Sequence, residues 1–226
     1  MTDIGAIGTV CSGRLTGNKE ILTKTIQAHQ ELLGPLLEKA ESGKLNSYHI
    51  MHSLFKQLGE LFWAPYLMYG EQGVQELVTL CTTSKEFTYE DLFNYTHHPV
   101  VKYLQGCWHL FQEQFRADQK GFKEEVTTHQ NVLIYEPKHT QPGFLQKFGK
   151  QLANTNPGKI ILLKTRIDGK TKYGAQATGL LLDLGKVFED MNIGGGHPES
   201  AGALVTDPEL FEGEFLRRVD KILNPE

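Results

Sequence analysis

Residues 192–203 read NIGGGHPESAGA. Gly194, Gly195 and Gly196 run straight into His197 and Pro198, and Ala201-Gly202-Ala203 follows at once. Without a Cβ the backbone is free to adopt φ > 0, and another backbone or a phosphate can approach closely. Successive free N–H groups in such a loop form an anion-binding concavity, and His197 at its edge can donate to a phosphate oxygen. Pro198 suits the first turn of a short helix whose early N–H groups would face the same anion. Two readings therefore stand side by side, a phosphate site and a plain structural turn. The stretch is not a P-loop, because no Gly-Lys-Ser/Thr follows. Nor is it the dinucleotide fingerprint, which needs a long helix and a distal acidic partner.

The flanks of this stretch set the fold class. Upstream, LLDLGKVFEDM reads as a helix. Before it, RIDGKTKYGAQATG carries Asp168-Gly169, a strong hairpin signal. NVLIYEP and KIILLKTRI are short apolar, β-branched runs with strand character, separated by GFLQKFGKQLAN, which reads as a helix. Downstream come the short apolar run ALV and a last helix over DPELFEGEFLRRVDKIL, opened by Asp207-Pro208. The order predicts a small mixed sheet with helices, α+β or α/β, over residues 129–226.

Residues 18–130 follow a helical pattern instead. NSYHIMHSLFKQLGELFWAPYLMYG places Ile50, Met51, Leu54, Phe55, Leu58, Leu61 and Phe62 on one stripe. Ser47 is available as its N-cap, and Pro65 is expected to end or kink it. Thr88 with Asp91 forms an acidic variant of a capping box. After His97-His98-Pro99 an amphipathic helix carries Val100, Val101, Leu104, Trp108, Phe111 and Phe115. The aromatic stripe Phe55, Phe62, Trp63, Tyr66 is read as core rather than as a base-stacking platform. The expected organisation is a helical region over 1–128 followed by an α/β domain over 129–226, α+β as a whole.

Composition narrows the function classes. Hydrophobic content of 39% and charged content of 22% are ordinary for a soluble chain, and the net charge of −4 gives no global basic field. Any nucleic-acid contact must then come from a local patch. No apolar run approaches the roughly 18 residues a membrane span requires, and the N-terminus lacks the basic-then-apolar order of a signal peptide. Cys11, Cys81 and Cys107 are odd in number and widely spaced, which fits small apolar residues in a reducing cytosol better than a disulfide or zinc framework. The nine histidines are dispersed, and no metal site is expected from this chain alone. His129 and His139 bracket the first strand and receive no role.

GGGHPESAGA, preceded by LLLDLGKVFEDMN and a hairpin, resembles the GGGH-x-x-AAG signature of the DHH-associated domain. That domain follows the catalytic DHH domain in RecJ-type single-strand exonucleases and in small oligonucleotide phosphoesterases. The pattern covers residues 129–226. TDIGAIGTV, near the start, resembles the closing strand of a DHH domain, which makes residues 1–15 a remnant of that domain's edge, with the helices as linker. The resemblance implies a module gripping the phosphates of a single strand or nucleotide: His197 bonding a phosphate oxygen, Gly194, Gly195 and Gly196 admitting the backbone. It also implies that manganese or magnesium belongs to the DHH catalytic domain or to a partner chain carrying it.

The chain departs from the family pattern twice. No DHH triplet and no Asp-rich metal motif occurs; Thr96 stands where THHP would need Asp. Two-metal hydrolysis needs several carboxylates converging on ions about 3.5–4 Å apart, so this chain alone is not expected to hydrolyse anything. The S-x-R-type motif is also missing: Tyr173-Gly174-Ala175-Gln176-Ala177-Thr178 occupies its region without an arginine. Gln176 and Thr178 can hydrogen-bond a ligand but supply no charge. Lys164, Arg166, Lys170 and Lys172 flank the hairpin, either as an electrostatic rim or as a solvated strand edge. Three functions remain: a binding module for single-stranded nucleic acid or nucleotide phosphate, the C-terminal part of a metal-dependent phosphoesterase, and a scaffold subunit of a replication or repair assembly.

Overall fold

A computed structural model of the chain describes residues 54–84, 91 and 97–224. Ser47, Ile50, Met51, Thr88, Cys11 and residues 1–15 lie outside that range. The described residues form two compact units, one of 54–66, 71–84, 91 and 97–109, the other of 67–70 and 110–224.

Helix α1 (Leu54–Tyr69), which belongs to the first unit up to Tyr66, runs through Pro65 rather than ending there. It is followed by α2 (Glu71–Thr83) and then by α3 (Pro99–Glu125), whose first part belongs here. His98 Nδ1 accepts the Val100 N–H at 3.3 Å, so the histidine of the HHP stretch serves as a helix cap. Val100, Val101 and Leu104 are fully buried and pack with Leu61, Phe62, Leu77, Leu80 and Cys81. Phe62 thus packs against the core as its helical spacing predicts, whereas Trp63 of the same stripe is 48% exposed, which corrects the expectation that the stripe is buried throughout. Cys107 is buried and Cys81 half-buried, both free thiols, and burial pushes both above the ordinary thiol range. No helix among the described residues is long and apolar enough to cross a membrane.

The second unit is an α/β layer around a mixed sheet. Its strands are β1 (Thr127–His129), β2 (Val132–Tyr135), β3 (Ile160–Ile167), β4 (Lys170–Ala177), β5 (Gly194–His197) and β6 (Ser200–Val205), in the order β1-β2-β3-β4-β6-β5. Only β2 and β3 pair in parallel, because helix α4 (Pro142–Thr155) carries the chain across between them. The β3–β4 hairpin turns on Asp168 (φ 48) and Gly169 (φ 74), the conformation a two-residue hairpin demands. β1, polar and exposed, is not signalled by apolar alternation and forms because it pairs with β2.

Each sheet face meets different helices. On one, Ile134, Ile160, Leu162, Tyr173, Ala175, Ala201 and Ala203 pack against α5 (Leu184–Asp190) and α6 (Pro208–Leu223), through Phe188, Phe211 and Phe215. Asp183 and Asp207 cap these helices, accepting the N–H of Lys186 and Leu210 at 3.0 Å each. Tyr173 donates to Glu212 at 2.6 Å, and burial together with that carboxylate pushes its hydroxyl far above the usual tyrosine range. On α6, Arg217 and Arg218 both pair with Glu214, which they hold down at about 2.

The other face is covered only in part. Over β2 and β3, Phe144 and Phe148 of α4 join Phe111, Phe115 and Phe122 from the second part of α3, with Tyr135 among them. One polar group lies inside this aromatic layer. Asp118 is fully buried, and it accepts from Tyr135 Oη (3.2 Å), Lys138 N (2.9 Å) and His139 N (3.2 Å), with His139 Nδ1 at 2.7 Å. A charged-looking run, ADQKGFKEE, thus conceals an interior carboxylate, and His139 is its partner.

Candidate phosphate-binding face

The triple glycine is a strand. Gly194–His197 pairs antiparallel with β6, Gly194 opposite Ala203, Gly195 opposite Gly202, Gly196 opposite Ala201 and His197 opposite Ser200. This corrects the expectation of a loop: none of the three glycines has φ between +20° and +160°, and Pro198-Glu199 forms the turn of a hairpin rather than opening a helix. The glycines are required by a close approach of backbone. A Cβ at Gly194 would collide with the Gly202 carbonyl, and one at Gly196 with the Ser200 carbonyl and Ala201 Cα. The hairpin turn is anchored from both sides, Pro198 O accepting from Leu184 N (2.9 Å) and Glu199 O from Ala177 N (3.0 Å).

The register of three strands then aligns residues that are far apart in sequence. Gly174 lies opposite Gly202, and Gly202 lies opposite Gly195, so three glycines form a row across β4, β6 and β5. The next row is Gln176, Ser200 and His197, and Gln176 Nε2 donates to Ser200 Oγ at 3.0 Å. On the other side Lys172 lies opposite Leu204. Alternation puts Lys172, Gly174 and Gln176 on the face opposite to buried Tyr173, Ala175 and Ala177. Over Gly174 a Cβ would meet nothing within 4 Å, and over Gly202 only the Tyr173 carbonyl at 3.4 Å. This part of the sheet is a trench whose floor is free of side chains at Gly174 and Gly202, while at Gly195 it is bordered by Glu189 of α5, whose Cγ and Oε1 would lie 3.4 Å from an added Cβ.

α4 forms one bank. A Cβ at Gly149 would come 3.1 Å from Gln176 Cγ and 3.3 Å from Leu163 Cδ1, and Thr178 Oγ1 donates to Asn154 Oδ1 at 3.2 Å. His197 stands at the far edge, two strands from Gln176 or about 10 Å. It is exposed, with no hydrogen-bond partner among the described residues.

The expected site residues therefore divide. Lys172 and Gln176 follow one another along the same face of β4, with Thr178 just past its end. Gly195 and His197 lie in register with that row on the edge strand, Gly195 beside Glu189, and Gly194 and Gly196 adjoin them on β5. Arg166 does not join them. It alternates with Leu162 and Lys164 onto the α6 face, where Lys164 pairs with Glu212 (3.2 Å) and Arg166 lies 3.8 Å from Glu136. Ser200, Gly174 and Gly202 are additions that only strand register reveals. A cavity of about 480 Å³ lies elsewhere, between the β1–β2 turn and the end of α6, lined by His129, Asn131 and Arg217 among others. Arg217 is already engaged by Glu214. The trench has the better chemistry for an anion, since its floor admits a backbone and its imidazole is free.

Among the described residues no three His, Cys, Asp or Glu side chains gather as a metal-binding group. The manganese or magnesium that the family resemblance implies has no fitting donor set there.

No protein-family model matches the chain, and no curated protein matches it in sequence. Solved structures do match in fold. RecJ from Thermus thermophilus in complex with Mg²⁺ superposes with a TM-score of 0.63 at 12% identity, over 97% of this chain and 34% of that one. The same protein with Mn²⁺ gives 0.63 and 12%, over 97% and 32%. An exonuclease RecJ bound to manganese gives 0.58 at 15%, over 100% of this chain and 55% of that one. The chain resembles RecJ, a DHH-family protein, in its α+β fold, and it spans about a third to about half the length of those chains.

Proposed function

We propose that this chain binds phosphate groups of single-stranded nucleic acid, or of a nucleotide, on the open face of its sheet, and that it acts with a DHH catalytic domain rather than as a hydrolase by itself. The observation that carries the reading is the register-aligned glycine row beside Gln176, Ser200 and the exposed His197. A floor without side chains at Gly174 and Gly202 lets a phosphodiester lie against backbone, and the imidazole and the Ser200 hydroxyl, which accepts from Gln176 and keeps its own proton to donate, offer hydrogen bonds at its edges. Affinity of this kind is mostly electrostatic and falls with salt.

Fluorescence anisotropy with a labelled oligonucleotide tests it. His197→Ala should weaken binding about tenfold, the loss of one charge-assisted hydrogen bond, while the thermal midpoint stays at the wild-type value. Unchanged affinity would remove the phosphate role of His197.

A second reading is favoured by coverage, since the RecJ chains extend well beyond the part matched. On that reading the chain is the C-terminal portion of a metal-dependent DHH phosphoesterase, with manganese or magnesium held by the other portion. Hydrolysis of an oligonucleotide by this chain plus a DHH domain and divalent metal, but not by this chain alone, is its expected result. Turnover by this chain alone would contradict both readings.

A further inference from the structure

The sheet sorts its basic residues by face, and the sorting separates paired cations from free ones. Lys164 and Arg166 fall on the α6 face beside Glu212 and Glu136. Lys170 and Lys172 fall on the trench face, exposed, with no acidic partner among the described residues. A further exposed lysine stands on the trench bank. On α4, Lys150 follows Gly149, which faces Gln176, and precedes Asn154 by one turn. At 100° per residue Gln146, Lys150 and Asn154 share a row. The Asn154–Thr178 hydrogen bond fixes that row on the side of β4, away from the side where Phe144 and Phe148 meet α3. Lys150 too has no partner among the described residues.

We propose that Lys150 and Lys172 are the cations of the phosphate site, filling the role for which the chain has no arginine, and that they contact separate backbone phosphates of one extended strand crossing the glycine row. The inference rests on the proposed binding function and adds the source of its charge. Lys172 borders the floor on one side of the row, and Lys150 stands on the bank near Gln176 on the other. A strand laid over Gly174 and Gly202 would pass between them. An ammonium group, unlike a guanidinium, acts here as a point charge without bidentate geometry. Binding through these two residues is therefore sequence-independent.

The test is the salt dependence of anisotropy binding with a labelled thymidine oligonucleotide, using the full chain. Each single-strand phosphate contact contributes about 0.7 to the slope of log K against log salt. Lys150→Gln with Lys172→Gln should therefore lower the slope by about 1.4 and weaken binding at low salt. The double arginine variant should restore both, and Lys221→Gln, on α6, should change neither. Circular dichroism melting checks that the variants fold. A wild-type slope in the glutamine variant, or a loss equal to that of Lys221→Gln, overturns the inference while leaving the binding function standing. No oligonucleotide binding by the wild-type chain at low salt overturns the function itself.

Discussion

Gly174 and Gly196 are glycines for opposite reasons. At Gly196 a Cβ would meet the Ser200 carbonyl and Ala201 of the neighbouring strand, so the residue is dictated by packing. At Gly174 nothing occupies the space, and glycine in a strand interior costs roughly 0.5–1 kcal/mol relative to alanine. A strand accepts that cost where something else must approach closely. The two substitutions should therefore separate fold from function. Gly196→Ala should lower the thermal midpoint by several degrees, because the hairpin must splay to admit the methyl group. Gly174→Val should leave the midpoint at or above wild type and weaken oligonucleotide binding by filling the floor. Thermal melts paired with anisotropy distinguish them, and a Gly174→Val variant that binds normally would show that the floor touches no ligand. Sequence alone marks the glycine cluster as unusual. It does not separate these causes, since whether a missing Cβ serves a strand neighbour or a ligand depends on strand pairing.

At the scale of elements, apolar runs and punctuation carry most of the legible information. β2, β3, the Asp168-Gly169 turn, α4 and the Asp207-Pro208 opening of α6 follow from local residues because each has a local cause, whether alternation, turn chemistry or a cap. The departures have non-local causes. β5 is a strand because β6 pairs with it, although three glycines have little strand preference of their own. α1 continues past Pro65 although proline removes one helical hydrogen bond. Asp118 lies in a run that reads as solvated, yet it is buried because the turn after β2 returns over α3 with two N–H groups and an imidazole to satisfy it. That carboxylate joins a helix to the end of β2 and the turn that follows it. Asp118→Ala would leave Tyr135 Oη and two backbone amides without their acceptor, a loss of about 3 kcal/mol for a broken buried charged network. Urea unfolding should show it as a lower midpoint with little change in slope. A loss below about 0.5 kcal/mol, the ordinary range for surface substitutions, would mean that the network contributes nothing to stability.

For the whole molecule, the residues of the proposed site come from segments far apart in sequence. Gln176 and Gly174 come from one hairpin, Ser200 and Gly202 from another, His197 from the edge, and Asn154 and Lys150 from the crossover helix. The family resemblance finds the GGGH stretch because that piece is contiguous. The glycine row and the separation of Arg166 from Lys172 depend on register and are invisible to it. Under the proposed function a single strand lies on this face. Glycine amides give resolved signals in an ¹⁵N–¹H correlation spectrum, so titration with a thymidine oligonucleotide reads that placement residue by residue. Shifts concentrated at Gly174, Gly195, Gly202 and Gln176, reduced by His197→Ala, are the predicted result. Shifts confined to the cavity around His129 and Arg217, or none at saturating oligonucleotide, would contradict it.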